Sequence, residues 1–225
     1  MWVWALLPFG LVGFGTVGIW LVFGIAVSNG TVNITVRFPY ISECGTYDPQ
    51  SCVFSQVCNI CATLTLCIVV IRFQQVRHDG VSKANNASMV LGFFSSLGIS
   101  ILGNFRQSVF FGIHVFGAFL AFYVGLAYFW LQAWLTYKAP PSKERCWVGS
   151  VRAALCSVCS ILVVSMATGL MVGSGSTGPI SEWALVMSFF LLFGLFASEF
   201  RHINYHQLSV QKQSDNQFYK PALEN

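Results

Sequence analysis

Charge is what this chain has least of. Twelve Lys or Arg and eight Asp or Glu make up 9% of its 225 residues, against 55% hydrophobic. A soluble domain carries about 25% charged residues. So few charges cannot cover a water-facing surface, which excludes a soluble globular domain and leaves an integral membrane protein. The net charge of +4 is spread over loops. No basic stripe is interleaved with aromatics, so no nucleic-acid partner is expected. Aspartate is missing from every apolar run. Paired acids, a Ser or Cys nucleophile with a base, and a four-ligand metal set are missing too, so no enzyme, metal or cofactor is expected. Eight cysteines are too few for a disulfide-rich scaffold of this length.

What is present is hydrophobic length. About 20 apolar residues cross a bilayer, and six segments qualify, at about 3–27, 53–71, 86–103, 112–137, 147–172 and 180–200. The expected fold is all-α, a polytopic six-helix transmembrane bundle at 1–200. A polar, disordered cytosolic tail is expected at 201–225. The third segment is the shortest and is rich in Ser and Gly. The first lacks a basic leader and exceeds the usual 7–15 apolar residues of a signal peptide, so it reads as a retained span. Taking the amino terminus as cytosolic puts ten Lys or Arg in the inner loops and tail, Arg72, Arg152 and Arg201 among them, and only Arg37 and Arg106 outside. Both termini are therefore expected inside. Trp2, Trp4, Trp147 and Trp183 fall near segment ends, where amphipathic rings settle. Gly10, Gly13, Gly15, Gly18 and Gly24 in the first segment, and Gly117, Ala118, Ala121 and Gly125 in the fourth, read as close-packing positions.

The charge bias places ECGTYDPQSC (43–52) on the outer or luminal side. Thiols there meet an oxidising compartment, and Gly45, Asp48 and Pro49 favour a turn. Cys44 and Cys52 are expected to pair and staple the first outer loop. Two sequons, at Asn29 and Asn33, lie in the same loop. Asn29 is close to the membrane and Asn33 is the better-placed acceptor. A third, at Asn86, falls on the inner side and is expected to stay bare. The pairs Cys58/Cys61 and Cys156/Cys159 have redox spacing but lie inside apolar runs, where a thiol is a small hydrophobe. Asn104, Arg106, His114 and Glu182 all fall near the outer face and are expected to form one polar cluster. Glu199, next to Arg201, is expected to snorkel into water. Tyr205 and Leu208 fit the tyrosine-x-x-apolar signal that clathrin adaptors read in cytosolic tails.

The run FPYISECGTYDPQSCVFSQVCN (38–59) resembles the damage-regulated autophagy modulator (DRAM) family, which is grouped with the fungal Sfk proteins. The likeness continues in GNF (103–105), HVFGAFLAF (114–122) and EW (182–183). YFWLQ (128–132) is most similar to the transmembrane protein 150 branch. The resemblance spans most of the chain. It implies a non-enzymatic multipass modulator of macroautophagy, endolysosomal traffic and cell survival. It also implies residence in the plasma membrane and in endosomal, lysosomal and autophagosomal membranes, with membrane lipids as partners. Two positions depart from the family pattern: Arg106 stands where Gln is usual, and Ser181 where Cys is usual. The departure at Arg106 suggests an ion pair with Glu182. The alternative function is an ion channel, lipid-handling regulator or small transporter. Such proteins place polar residues at the midplane, whereas here they gather near the outer face.

Overall fold

Pro8, Pro49 and Pro179 sit at helix starts, where the missing N–H has no intrahelical acceptor to lose. Long apolar runs are then free to become long helices. We describe the fold from a computed structural model, which places residues 3–77, 80–138, 145–173, 175–201 and 203. A short 3₁₀ turn, Val3–Ala5, leads into α1 (Leu6–Ser28). A one-turn helix, α2 (Ile41–Cys44), is followed by α3 (Gln50–Val76) and α4 (Ser82–Asn104). Then come α5 (Phe111–Phe119), a π-helical turn at Leu120–Val124 and α6 (Gly125–Lys138), which form one continuous rod. The chain ends in α7 (Arg145–Val172), α8 (Thr177–Gly194) and α9 (Phe196–Phe200).

Six rods are long and apolar enough to cross a membrane: Val3–Ser28, Gln50–Val76, Ser82–Asn104, Phe111–Lys138, Cys146–Val172 and Thr177–Phe200. These are the six segments expected from hydropathy. The third is longer than its apolar run, because its polar side chains are buried against neighbours. The Asn85 amide donates to Phe73 O at 2.8 Å, and the Ser96 hydroxyl to Ala62 O at 2.7 Å. Local hydropathy counts such residues as breaks, whereas a bundle interior offers their donors backbone acceptors.

Consecutive rods are neighbours, and α8 returns to pack on α1, so the six close into a ring. An even number of spans puts Val3 and Phe200 at one end, here called the termini end. The loops 29–49, 105–110 and 173–176 lie at the other, here called the cap end. Of the five glycines in α1, only two pack as expected. A methyl at Gly15 would overlap the ring of Phe190, and one at Gly18 the side chain of Val57, whereas Gly10, Gly13 and Gly24 face open space.

The termini end holds a charge cluster that the sequence reading missed. Glu199 does not snorkel into water. It is 6% exposed and lies between two guanidiniums: Arg72 is 2.9 Å from Oε1, and Arg152 is 2.7 Å from Oε2 and 3.3 Å from Oε1. Arg72 Nε also donates to Gln132 Oε1 at 3.1 Å, and Arg152 lies over the Phe196 ring at 4.5 Å. Arg152 donates to the Thr136 hydroxyl as well. Arg72 and Arg152, counted above as loop charges, are interior residues of α3 and α7. The cluster joins α3, α6, α7 and α9.

Removing one member of a buried pair strands a buried charge. Glu199→Gln is expected to cost about 3–5 kcal/mol, seen as a large fall in melting temperature in detergent. Glu43→Gln, which breaks the half-exposed pair with Arg37, is expected to cost under about 1 kcal/mol in the same assay.

Candidate functional site

Short polar stretches between apolar rods must satisfy their own backbone groups or borrow partners from the rods. At the cap end they borrow. The segment 38–46 runs across the mouth of the ring, and α8 holds it at two adjacent residues. Glu182 Oε2 accepts the Ile41 N–H at 2.7 Å, and Trp183 Nε1 donates to Pro39 O at 3.1 Å. A third hold comes from just before α8, where the Ser176 hydroxyl accepts the Phe38 N–H at 3.1 Å. A methyl at Gly178 would collide with the Tyr40 hydroxyl, so the first turn of α8 must present a bare backbone there. Trp183 is 5% exposed. It is packed among Trp20, Phe23 and Phe38 in tilted and edge-on contacts, with ring centres 4.6, 5.5 and 5.7 Å away. It is therefore a clamp residue and not part of an interfacial belt. Trp147 is 59% exposed.

The loop also braces itself. Glu43 accepts the Tyr40 N–H at 2.9 Å, capping the single turn of α2, and pairs with Arg37. The Ser42 hydroxyl reaches Gln107 Oε1 at 2.8 Å, tying the loop to the α4–α5 turn. Asp48 accepts from the Ser51 hydroxyl at 2.6 Å and pairs with Arg106. The Ser51 bond, then the Arg106 bond, hold the Asp48 carboxyl below its ordinary range. A depressed value keeps this contact in place at neutral pH and loses it only as the pH falls through that lowered value. A methyl at Gly45 would overlap the Phe54 ring, so the Glu-Cys-Gly turn can press onto α3 only with glycine there.

The four polar residues expected to cluster do not form one unit. Arg106 pairs with Asp48, not with Glu182. Depth alone suggested the wrong partner: Glu182 is buried and faces the backbone of α2, while Arg106 lies on an exposed turn. The Asn104 and Asn59 amides bond each other reciprocally at 2.9 and 3.1 Å, joining α4 to α3. His114 Nδ1 bonds Phe105 O at 2.8 Å and closes the α4–α5 turn. His114 and Glu182 do share one feature. With Ser42, Thr65 and Ser95 they contribute the polar lining of a mostly apolar cavity of about 90 Å³. The Thr65 hydroxyl there is buried without a partner. The Ser181 and Ser165 hydroxyls bond each other at 2.8 Å and link α8 to α7.

Cys44 and Cys52 are free thiols in this structure, the first buried and the second exposed. Hydrogen bonds and ion pairs hold the loop in this structure. Burial, then the Glu182 and Glu43 charges, push the Cys44 thiol up to about 12. Cys58, Cys61, Cys156 and Cys159 are buried among apolar side chains, as the hydrophobe reading has it. Asn33 is exposed and its Oδ1 accepts from the Thr35 N–H and hydroxyl at 3.0 and 2.6 Å. Asn29 is the C-cap of α1 and donates to Gln50 Oε1 at 3.4 Å. Beside Asn33, an open cleft of about 490 Å³ is lined by Arg37, Glu43, Tyr47, Gln107 and Phe111. Tyr205 and Leu208 lie outside the described residues. Among the described residues no group of three His, Cys, Asp or Glu could hold a metal.

The sequence reading singled out Glu182 but missed Trp183, Glu43 and Asp48 as loop holders. The available signal was Glu43 three residues after Tyr40, the spacing of a helix N-terminal cap.

The Frag1/DRAM/Sfk1/Cwh43P N-terminal domain family matches residues 3–203. The Danio rerio protein named "Modulator of macroautophagy TMEM150B" is 58% identical, covering 95% of this chain and 92% of the relative. The Homo sapiens protein of the same name is 42% identical, covering 94% and 92%. "Transmembrane protein 150A" of Xenopus laevis is 30% identical, covering 94% and 89%. No solved structure matches.

Glu182→Ala is expected to strand the Ile41 N–H at a cost of about 1–3 kcal/mol. Hydrogen exchange should then speed up across residues 38–46. Arg106→Gln should leave exchange at Ile41 unchanged and free the 105–110 turn instead.

Proposed function

This chain belongs to the Frag1/DRAM/Sfk1/Cwh43P family, and from that membership we propose that it is a multipass membrane modulator of macroautophagy that works without catalysis. The observation that carries the reading is near-full-length identity of 58% and 42% to proteins named as modulators of macroautophagy. The architecture agrees with it. The segments 38–46 and 182–183 meet in space, where Glu182 and Trp183 hold the loop rigid beside an open cleft. A rigid rim beside a cleft is suited to recognition.

The reading places the cap end in the lumen or outside the cell, with both termini in the cytosol. Arg37 and Arg106 are the only Lys or Arg at the cap end among the described residues, and Arg77, Lys83 and Lys138 sit at the other end. It places the protein in the plasma membrane and in endosomal, lysosomal and autophagosomal membranes, among lipids. Tyr205 and Leu208 act as a sorting signal for clathrin adaptors. In that compartment Asn33, farther along the loop from α1 than Asn29, is the glycan acceptor, and Cys44 pairs with Cys52.

Turnover of an autophagosome marker, followed with and without a lysosomal inhibitor, is expected to change when expression is raised or lowered. Unchanged flux in both directions refutes the proposal. In intact cells, thiol alkylation before and after reduction tests the pairing. Adducts on Cys52 are expected only after reduction, and modification of both cysteines without it removes the staple.

A further inference from the structure

The cleft beside Asn33 has three walls. One is the 31–37 segment that carries Asn33 itself. The second is α2 with the turn after it, and the third is the α4–α5 turn with the start of α5. The volume of about 490 Å³ falls among small-molecule sites, about 300–1,000 Å³. Two aromatic rings stand bare in it, Tyr47 at 55% exposed and Phe111 at 56%. Arg37 and Glu43 are the charged residues of the lining, and they pair with each other. The cleft therefore offers no net charge to an ionic ligand. It offers ring surface beside hydrogen-bonding groups, among them the Gln107 amide nitrogen, since Ser42 holds only Oε1. A pyranose complements both, with an apolar C–H face to lay on a ring and a rim of hydroxyls.

Asn33 is placed to deliver one. Its Oδ1 accepts the Thr35 N–H and hydroxyl. Its backbone carbonyl accepts the Val36 and Arg37 N–H groups at 3.2 and 3.4 Å. Both oxygens are thus used in the turn. Nδ2, the atom that carries an N-linked glycan, has no hydrogen-bond partner among the described residues, and Asn33 lines the cleft.

We propose that the cleft seats the chain's own N-linked glycan, the first N-acetylglucosamine on Asn33 lying over Tyr47 and Phe111. This rests on the Asn33 acceptor reading above and adds where the sugar goes. A sugar fixed at the rim binds intramolecularly, at an effective concentration of about millimolar. Ring contacts too weak to capture a free sugar then suffice, because the cost of association is already met by the covalent bond. Seated there, the sugar ties the 31–37 segment to the α4–α5 turn, a link that no hydrogen bond of the chain makes among the described residues. The cap end then presents a carbohydrate surface in place of bare rings.

The test uses the full chain in cell membranes and a peptide N-glycosidase. On denatured protein the enzyme is expected to shift the band, and Thr35→Ala, which breaks the sequon, should remove all or part of that shift. A shift unaltered by Thr35→Ala, or none at all, overturns acceptor and seat together. On native membranes opened to the enzyme, release from Asn33 should be roughly tenfold faster in Tyr47→Ser and in Phe111→Ser than in the parent chain, because access follows the unseated population. Val109→Ser, an exposed residue of the same turn outside the cleft, should leave release slow. In Thr35→Ala, with the cleft walls intact, hydrogen exchange should quicken at residues 107–111, far along the chain from the change. Equal native release in the parent and both ring variants, release as fast in Val109→Ser as in them, or unchanged exchange at 107–111 without the glycan overturns the seat and leaves the acceptor standing.

Discussion

Glu199 between Arg72 and Arg152 is the contact on which the ring depends. Three charged groups taken out of water are stable only while each compensates another, because the desolvation cost of an isolated buried ion is several kcal/mol. The cluster therefore specifies one arrangement of α3, α7 and α9. A rotation of α7 that moved Arg152 away from Glu199 would leave an uncompensated ion. Apolar packing tolerates such slips far better, since one leucine replaces another at similar cost. Gln132, Thr136 and Gln75 surround the cluster with hydrogen bonds and extend its hold to α6. The break after Gly194 and the short α9 bring Glu199 into place.

With the termini end locked, the cap end can be built from hydrogen bonds of ordinary strength. The clamp at Glu182 and Trp183 acts on backbone atoms, the Ile41 N–H and the Pro39 carbonyl. Backbone partners impose the path of the loop, not the identity of its side chains. The loop's outward residues are then free to face the cleft that Arg37, Glu43 and Tyr47 help line. One end of the molecule is thus an electrostatic lock and the other a shaped rim, with an apolar ring between them.

Much of the fold was legible because membrane insertion is written locally. The length of an apolar run and the sign of its flanking charges answer to the bilayer alone, so all six spans appear where hydropathy puts them. The α4 rod shows the limit: Asn85, Ser95 and Ser96 dilute its hydropathy, yet they are buried and hydrogen-bonded. The site was legible in part. Glu182 stood out as an acid at membrane depth. Its partner did not, because depth along a rod says nothing about rotation around it. Arg106 illustrates the same point, since it shares Glu182's level but turns to Asp48.

The sequence by itself determined the class of the protein, the number of its spans, their approximate ends and its family, because each follows from composition or from contiguous motifs. Only the tertiary structure decided what each charge does. Glu199 and Arg201 are neighbours in sequence, yet Glu199 meets Arg72 and Arg152, which are 127 and 47 residues away. The glycines of α1 divide in the same way: Gly15 and Gly18 face Phe190 and Val57, and Gly10, Gly13 and Gly24 face outward. The physical reason is common to both. Hydrophobicity is a property of a segment, whereas a partner is a property of the angle at which one helix faces another.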